Sequence, residues 1–466
     1  MEQREQALAI LAERNKRICE ASGQQAAIYL MTFGCQMNLS DAEVVAGLMS
    51  EAGYRLTEVL EEADLVVIHT CGVREGAETR VMGRIGNLKA LKDIKPDLLI
   101  AVGGCMTQQQ DVAEQIQKVH RHVNLIFGTH NLANFAELLV TSLSCKQPLI
   151  ALLPEEQSIE EGLPRVRPAS ASAWLSIMFG CDNYCTYCIV PYLRGHERSR
   201  RPEAILEEAK QMIEQGIVEI TLLGQNVNSY GKGKQDQDIN IDFADLLQSI
   251  AKLPGLARLR FVTSHPRDIT PKLIEVMAAH SNICRQLHLP VQAGSNTVLQ
   301  RMNRGYTREY YLDLVTRLRD AMPNLSLTTD IIVSFPGESE ADFAETLDLV
   351  KQVRFDNAFT FIYSPRPGTP AASYPEVVDP ELTQRRMNDL LALQSSIAKE
   401  LNEELIGQTL QVFVEGPSKS GENMLLGRTE SHKVVNFIGL SENINTFQKV
   451  RIIAAASYHL TGELIS

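Results

Sequence analysis

Eight residues constrain this chain more than any others: Cys181-Asp182-Asn183-Tyr184-Cys185-Thr186-Tyr187-Cys188. Three thiols at CxxxCxxC spacing lie in one short loop and reach a common centre without help from tertiary folding. Thiolates are the soft ligands that iron–sulfur clusters and zinc select. A [4Fe–4S] cube has four irons, so three cysteines leave one iron open to an exchangeable ligand. Structural zinc asks instead for a closed set of four ligands, usually as paired CxxC motifs. No second CxxC follows, and although His196 is near enough in sequence to be a fourth ligand, the cluster is the favoured reading.

The chain has 466 residues, too many for one ordinary core, so two or three domains are expected. No apolar run approaches the ~18 residues of a membrane span. The polar start, Met1-Glu2-Gln3-Arg4-Glu5, does not read as a signal peptide, which makes a cytoplasmic, non-membrane protein the expectation. Nine cysteines in such a chain point to metal or catalysis, not to disulfides. The net charge of −12 argues against a nucleic-acid binder on bulk charge, so an RNA site has to be local. One candidate is Arg194 to Arg201, with four Arg against one Glu, where Arg194 and Arg198 are the named RNA-contact candidates. A solvated loop is the competing reading.

The order of elements gives a second thiol set. Residues 1–25 read as a polar helix. Ile28–Phe33 is a β run ended by Gly34-Cys35; Ser40 then opens a helix, with Glu43 completing a capping box and Gly53 stopping it. Leu65–Ile68 is a strand followed by His69-Thr70-Cys71, and Leu98–Val102 is a strand followed by Gly103-Gly104-Cys105. A helix, a strand (Val123–Phe127) and a helix complete a domain over 26–142. Cys35, Cys71 and Cys105 lie 36 and 34 residues apart, about one βα unit each. Strands alternating with helices make a parallel sheet, and its carboxyl edge is where such sheets hold ligands. All three thiols are therefore expected at that edge. Cys also fills strand ends near cores, but three in register exceed that explanation.

Residues 143–166 change character, with Pro154-Glu155-Glu156 and Glu160-Glu161-Gly162, and read as a linker. A longer βα series then spans 167–398, with strands near 174–178, 218–223, 258–262, 285–289, 325–333 and 358–363. Six strands suggest a partial (β/α)6 version of the eight-stranded barrel, with working residues at the carboxyl ends of strands. Gly224-Gln225-Asn226, Ser264-His265-Pro266 and Pro290-Val291-Gln292 fall there. His265 and His288 read as hydrogen-bonding scaffold, Cys284 as core, and Cys19 and Cys145 as bystanders. A long helix from Asp379-Pro380 leads to a β-rich small barrel over 400–466. Phe413, Phe437, Arg428 and Lys433 are its candidates for stacking on bases and neutralising phosphates; filling of the barrel by the two aromatics is an equal alternative.

The CxxxCxxC loop with Tyr187 before its last cysteine resembles the radical S-adenosylmethionine (SAM) superfamily, in which the open iron binds SAM. Thr32-Phe33-Gly34-Cys35-Gln36-Met37-Asn38 is similar to the opening signature of the methylthiotransferase family, as are Leu222–Asn228, His288–Gln292 and Met302–Thr307. Two departures stand out: Thr107-Gln108-Gln109 after Cys105, and Ser334 where glycine is usual. Val414-Glu415-Gly416 and Leu426-Gly427-Arg428-Thr429 resemble the TRAM RNA-binding domain.

The resemblance implies an α/β enzyme with an N-terminal parallel-sheet domain, the partial barrel and a TRAM-like barrel. It implies two [4Fe–4S] clusters, on Cys35, Cys71 and Cys105 and on Cys181, Cys185 and Cys188, the second binding SAM. Tyr187, Gln225, Ser264 and Gln292 are the expected cofactor contacts, and no general acid or base is assigned. Gln-Met-Asn after the first cysteine matches the branch that adds a methylthio group to isopentenyladenosine in the tRNA anticodon stem-loop. An electron donor and a sulfur source are implied but not identified, and a monomer is compatible with everything read. Two alternatives remain: a methylthiotransferase for threonylcarbamoyladenosine tRNA or a ribosomal protein, and a non-enzymatic Fe–S or zinc protein that binds RNA.

Overall fold

The computed structural model describes residues 2–72, 75–153, 159–234 and 236–465, with the backbone alone for 75–77. The chain divides into two compact units. One comprises residues up to Pro168 with Phe179–Asp182 and Ile189–Arg200; the other comprises Ala169–Met178, Asn183–Cys188 and the chain from Arg201 onward.

The first unit is a doubly wound α/β domain. Its elements are α1 (Glu2–Ser22), β1 (Ala27–Thr32), α2 (Gln36–Glu51), β2 (Arg55–Leu56), β3 (Leu65–Thr70), α3 (Glu75–Ile94), β4 (Leu99–Gly104), α4 (Gln110–Val119), β5 (Leu125–Phe127), α5 (Phe135–Ser142), β6 (Leu149–Ala151) and the short α6 (Val190–Arg194). The sheet order is β2-β1-β3-β4-β5-β6, and every pairing is parallel. Alternating residues of each strand face opposite layers, as a sheet covered on both sides requires. Leu65, Val67, Leu99 and Ala101 pack with α1, α2 and α5. Val66, Ile68, Ile100 and Val102 pack with Val81, Ile85 and Ile116 of α3 and α4.

Two expectations need correction. Ser40 does not open α2, which starts four residues earlier with Cys35 as its N-cap; Ser40 is buried inside the helix. Nor is 143–166 simply a surface linker. Leu149–Ala151 pairs in parallel with β5 as the sheet edge. Glu160 takes a bidentate bond from Arg4, and a Cβ on Gly47 would meet the Pro164 carbonyl at 2.2 Å. Pro154-Glu155-Glu156 lie outside the described residues.

The second unit carries the partial barrel and the C-terminal barrel. Its parallel strands are β7 (Ser172–Ser176), β8 (Glu219–Leu223), β9 (Arg258–Phe261), β10 (Gln286–His288), β11 (Ser326–Val333) and β12 (Asn357–Ile362). They form two three-stranded sheets, β9-β8-β7 and β10-β11-β12. A parallel bridge between Leu259 and Ile283 joins them, which completes the six-stranded series. Helices α7 (Pro202–Glu214), α8 (Phe243–Ala251), α9 (Pro271–Ala279), α10 (Asn296–Arg301), α11 (Arg308–Ala321), α12 (Glu340–Val353) and α13 (Pro380–Glu403) follow the strands. Thr270, Thr307 and Ser339 cap their helices by accepting from backbone N–H groups.

The C-terminal strands are β13 (Thr409–Pro417), β14 (Met424–Thr429), β15 (Val434–Ile438), β16 (Phe447–Ala455) and β17 (Leu460–Leu464), closed in the order β13-β14-β15-β17-β16. Arg258 and Arg260, at the amino end of β9, fix this barrel. Arg258 donates to the carbonyls of Arg428 and Gln411, and Arg260 to those of Thr429 and Glu430. Both guanidinia are buried and share the Glu219 carboxylate. Among the described residues no helix is long and apolar enough to cross a membrane.

Candidate functional site

In the first unit, Cys35 follows β1, Cys71 follows β3 and Cys105 follows β4. Those three strands are neighbours in the sheet and run parallel, so the cysteines share one carboxyl edge. The edge includes the β1/β3 boundary where the strand order reverses, the place such sheets reserve for ligands. Gly34 has φ +114° and lies against Cys71; a Cβ there would meet the Cys71 Cβ at 2.6 Å. Only glycine brings the first and second cysteine loops this close.

Asn38 ties the loops together. Its Nδ2 donates to the Phe33 carbonyl at 2.7 Å and the Thr70 carbonyl at 2.9 Å. The Cys105 amide donates to the same Thr70 carbonyl at 3.1 Å. Arg194, expected as an RNA contact, is instead buried beside these thiols. Its Nε donates to Cys105 Sγ at 3.3 Å, and its Nη2 donates to Asn38 Oδ1 and Asp41 Oδ2, both at 2.8 Å. Burial pushes the Cys105 thiol up to about 11, against the pull of Arg194 and with a further push from Cys35. Burial alone would lower the Arg194 guanidinium's proton affinity; Asp41, Cys105 and Cys35 more than reverse that. Gln108, in the departing Thr-Gln-Gln segment, accepts from the Thr129 amide and donates to the Leu153 carbonyl, so it braces the loop.

Arg198 and Arg200 are buried as well, and Arg200 pairs with Glu161 at 2.7 Å. The expected basic surface at 194–201 is therefore not formed by Arg194, Arg198 and Arg200; a guanidinium in a buried network is withdrawn from phosphates. In the CxxxCxxC loop, Gly180 has φ +78° and faces the His196 carbonyl, where a Cβ would approach to 1.9 Å. The Cys181 amide donates to the Gly195 carbonyl, and His196 Nδ1 lies 2.6 Å from Asp182 Oδ1. That pairing commits one nitrogen of the residue considered as a fourth metal ligand.

In the second unit, Cys185 and Cys188 are joined by a backbone bond from the Cys188 amide to the Cys185 carbonyl at 2.9 Å. Thr186 anchors the turn by donating to the carbonyls of Met302 and Arg301. Arg304 reaches Cys185 Sγ at 3.3 Å and Tyr187 Oη at 3.4 Å while donating to the Pro290 carbonyl at 2.8 Å. The loop thus meets the segment that follows β10, at the carboxyl end of the strands.

That end also collects buried polar atoms without protein partners: Asn226 Oδ1, Ser264 Oγ and His265 Nε2. Unpaired buried polar atoms are rare, and clustered at a strand edge they fit a polar ligand. His265 Nδ1 accepts from the Arg267 amide, as its scaffold reading requires, and burial with Arg304 and Arg267 nearby lowers the imidazole to about 2. Gln292 has φ +74° and bridges by backbone to β11. Gln225 follows β8 directly after Gly224. Ser334 has φ +59°, which explains why glycine suits that position; its amide donates to Glu338 Oε2 at 2.6 Å.

No sequence motif singles out Phe359 and Phe361. Asp330 pairs in register with Phe359, and Ile332 with Phe361. His288 meets Phe359 edge-on at 5.8 Å and hydrogen-bonds Thr328 Oγ1 at 3.0 Å. Because Leu327, Ile331 and Val333 face the core, Thr328, Asp330, Phe359 and Phe361 share the opposite face. Phe359 and Phe361 are 50% and 38% exposed there. Their alternation in β12 was the available signal.

In the C-terminal barrel, Phe413 and Phe437 are buried, so the filling alternative holds. Lys433 is committed to Asp356 at 2.6 Å and Asn402 at 2.8 Å, which corrects its assignment as a phosphate contact. Arg428 pairs with Glu415 at 2.8 Å and stays about a third exposed. Among the described residues no three His, Cys, Asp or Glu are gathered as ligands of a single metal ion. Thiols of a cube bind separate irons and need not share one centre.

Family models match residues 175–350 (Radical SAM superfamily), 27–128 (Uncharacterized protein family UPF0004) and 403–465 (TRAM domain). The fold is similar to that of the radical S-adenosylmethionine methyltransferase TsrM from Kitasatospora setae, with TM-score 0.55 and 14% identity over 75% of this chain and 77% of that one. A tRNA-2-methylthio-N(6)-dimethylallyladenosine synthase from Natranaerobius thermophilus is 49% identical over 94% of this chain and 96% of its own length. The protein of the same name from Moorella thermoacetica is 48% identical over 94% and 98%. The radical SAM assignment implies a [4Fe–4S] cluster and SAM. Full-length identity at this level, with three domain matches in order, places this chain in the family of tRNA-2-methylthio-N(6)-dimethylallyladenosine synthases.

Proposed function

We propose that this enzyme adds a methylthio group to carbon-2 of N6-isopentenyladenosine in tRNA, beside the anticodon. The observation that carries the reading is the gathering of Cys35, Cys71 and Cys105 at one sheet edge, braced by Asn38. Cys181, Cys185 and Cys188 would hold the cluster that works with SAM, and Cys35, Cys71 and Cys105 a second cluster associated with sulfur. The bound groups supply the electron and the hydrogen-abstracting radical that a C–H bond without useful acidity demands.

The chain's own residues bind and orient. Ser264, Asn226 and His265 offer unpaired polar atoms to SAM, and Gln225, Gln292 and Tyr187 are the further contacts that the resemblance implies. Phe359 and Phe361 offer exposed rings to a planar base with an apolar branch, matching the stacking used for unpaired RNA bases. Arg428 is the remaining partly exposed cation of the original RNA candidates.

Mass spectrometry of tRNA nucleosides from a deletion strain tests this. Loss of 2-methylthio-N6-isopentenyladenosine, restored by the intact gene but not by the Cys35→Ala variant, is expected. An unchanged level of that nucleoside would refute the proposal.

A further inference from the structure

Each thiol set has a buried arginine against one sulfur, but the two arginines differ in counter-charge. Arg194 contacts Cys105 Sγ at 3.3 Å and is neutralised by Asp41 at 2.8 Å. Arg304 contacts Cys185 Sγ at 3.3 Å, yet its other partners are neutral: the Pro290 carbonyl and the hydroxyls of Tyr306 and Tyr187. Tyr306 in turn donates to the Val291 carbonyl at 2.9 Å, so its hydroxyl oxygen is free to accept from the guanidinium. Arg304 is only 4% exposed, and among the described residues no carboxylate lies within ion-pair distance of it. An arginine buried without a counter-ion is costly, because desolvation of the charge is not offset. Among its contacts the Cys185 sulfur is the group that cluster ligation makes anionic, whereas burial raises the Tyr187 and Tyr306 hydroxyls and keeps them protonated.

We propose that Arg304 is the counter-charge for the cluster on Cys181, Cys185 and Cys188 and raises its reduction potential above that of the cluster on Cys35, Cys71 and Cys105, where Asp41 cancels Arg194. The inference rests on both thiol sets holding clusters, as in the preceding reading. Reduction adds one negative charge to a cluster; a nearby uncompensated cation stabilises the reduced form, and hydrogen bonds to the sulfurs act in the same direction. An electron delivered to the protein would then rest on the cluster that meets SAM. Arg304 acts here as a positioning and tuning residue.

The test is an EPR-monitored redox titration of the full chain without SAM, in two backgrounds reconstituted anaerobically. One carries Cys35, Cys71 and Cys105 changed to Ala; the other carries Cys181, Cys185 and Cys188 changed to Ala. The first background should show the higher midpoint. Arg304→Gln in it should lower the reduction equilibrium at least tenfold, about 59 mV for one electron, with iron content unchanged, and Arg304→Lys should restore at least half of that shift. Asp41→Asn in the second background should raise its midpoint. An unchanged midpoint in Arg304→Gln at full iron content overturns the proposal, as does an inverted order of the two backgrounds. If Arg304→Gln fails to load iron, the order of the backgrounds, Arg304→Lys and Asp41→Asn still decide. If neither background binds iron and sulfide, the cluster reading itself fails and takes this one with it.

Discussion

The Asn38 side-chain amide donates to the Thr70 carbonyl at 2.9 Å, linking the loop after β1 to the loop after β3 across 32 residues of sequence. With its second bond to Phe33, this amide is the brace that sets where Cys35 and Cys71 stand. Asn38→Ala would take one partner each from the Phe33 and Thr70 carbonyls and the Arg194 guanidinium; Thr70 keeps the Cys105 amide and Arg194 keeps Asp41, so the cost is on the order of 1–3 kcal/mol in all. The expected outcome is loss of iron from the N-terminal thiol set with the other set still loaded, read by iron analysis in the Cys181/Cys185/Cys188 triple background.

Gly34→Ala should do the same by a different route. Its Cβ would overlap the Cys71 Cβ, and φ +114° is strained for any L residue. A variant that retains full iron in that background would show that the two loops can separate without consequence.

Phe359→Ala and Phe361→Ala remove exposed rings, not core, so stability should change by less than about 1 kcal/mol. Base–aromatic stacking contributes about 1–3 kcal/mol per base. The expected result is a KM for isopentenylated tRNA raised about fivefold to a hundredfold, with SAM cleavage in the absence of tRNA unchanged. Equal loss of both activities would mean that the rings support the fold and not the substrate.

Much of this architecture is legible in the sequence because it rests on short-range pattern. Strand–helix alternation with a cysteine after each strand puts Cys35, Cys71 and Cys105 on one edge, and local spacing defines the 181–188 loop. What escapes depends on long-range partners. Arg194 reads as basic surface because nothing nearby in sequence announces Asp41, which is 153 residues away. Lys433 is absorbed by Asp356 and Asn402 for the same reason. Leu149–Ala151 is too short, among Pro and Lys, to signal the edge strand that parallel pairing with β5 creates. The Ser40–Glu43 box mimics a helix start, but α2 is already under way.

The docking of the C-terminal barrel rests on Arg258 and Arg260. Replacing both by Ala removes four bonds to backbone carbonyls and strands Glu219, a loss on the order of 3–5 kcal/mol for the broken buried pair alone. Calorimetry should then show a lowered Tm, with the C-terminal barrel melting separately. Lys433→Met should lower Tm while leaving tRNA affinity unchanged, since the ammonium is already paired.

His265 makes stability depend on acid. Burial, with Arg304 and Arg267 nearby, lowers its folded value to about 2, against about 6.5 in the unfolded chain. The unfolded state therefore binds the extra proton, so the contribution is complete above pH 6.5 and lost progressively as pH falls below it. At pH 5 the difference is on the order of 2 kcal/mol. Denaturant titrations at pH 7.5 and pH 5 should show a smaller acid loss in His265→Asn than in the parent; identical losses would contradict the assignment.

Two separate thiol sets, each with one cube, would together hold twice the iron of either set alone. Anaerobic iron and sulfide quantification on the two alanine triples measures this directly. Each triple should retain about half the iron and sulfide of the parent, in equal amounts. A Cys35/Cys71/Cys105 triple that keeps the parent's full content would contradict it.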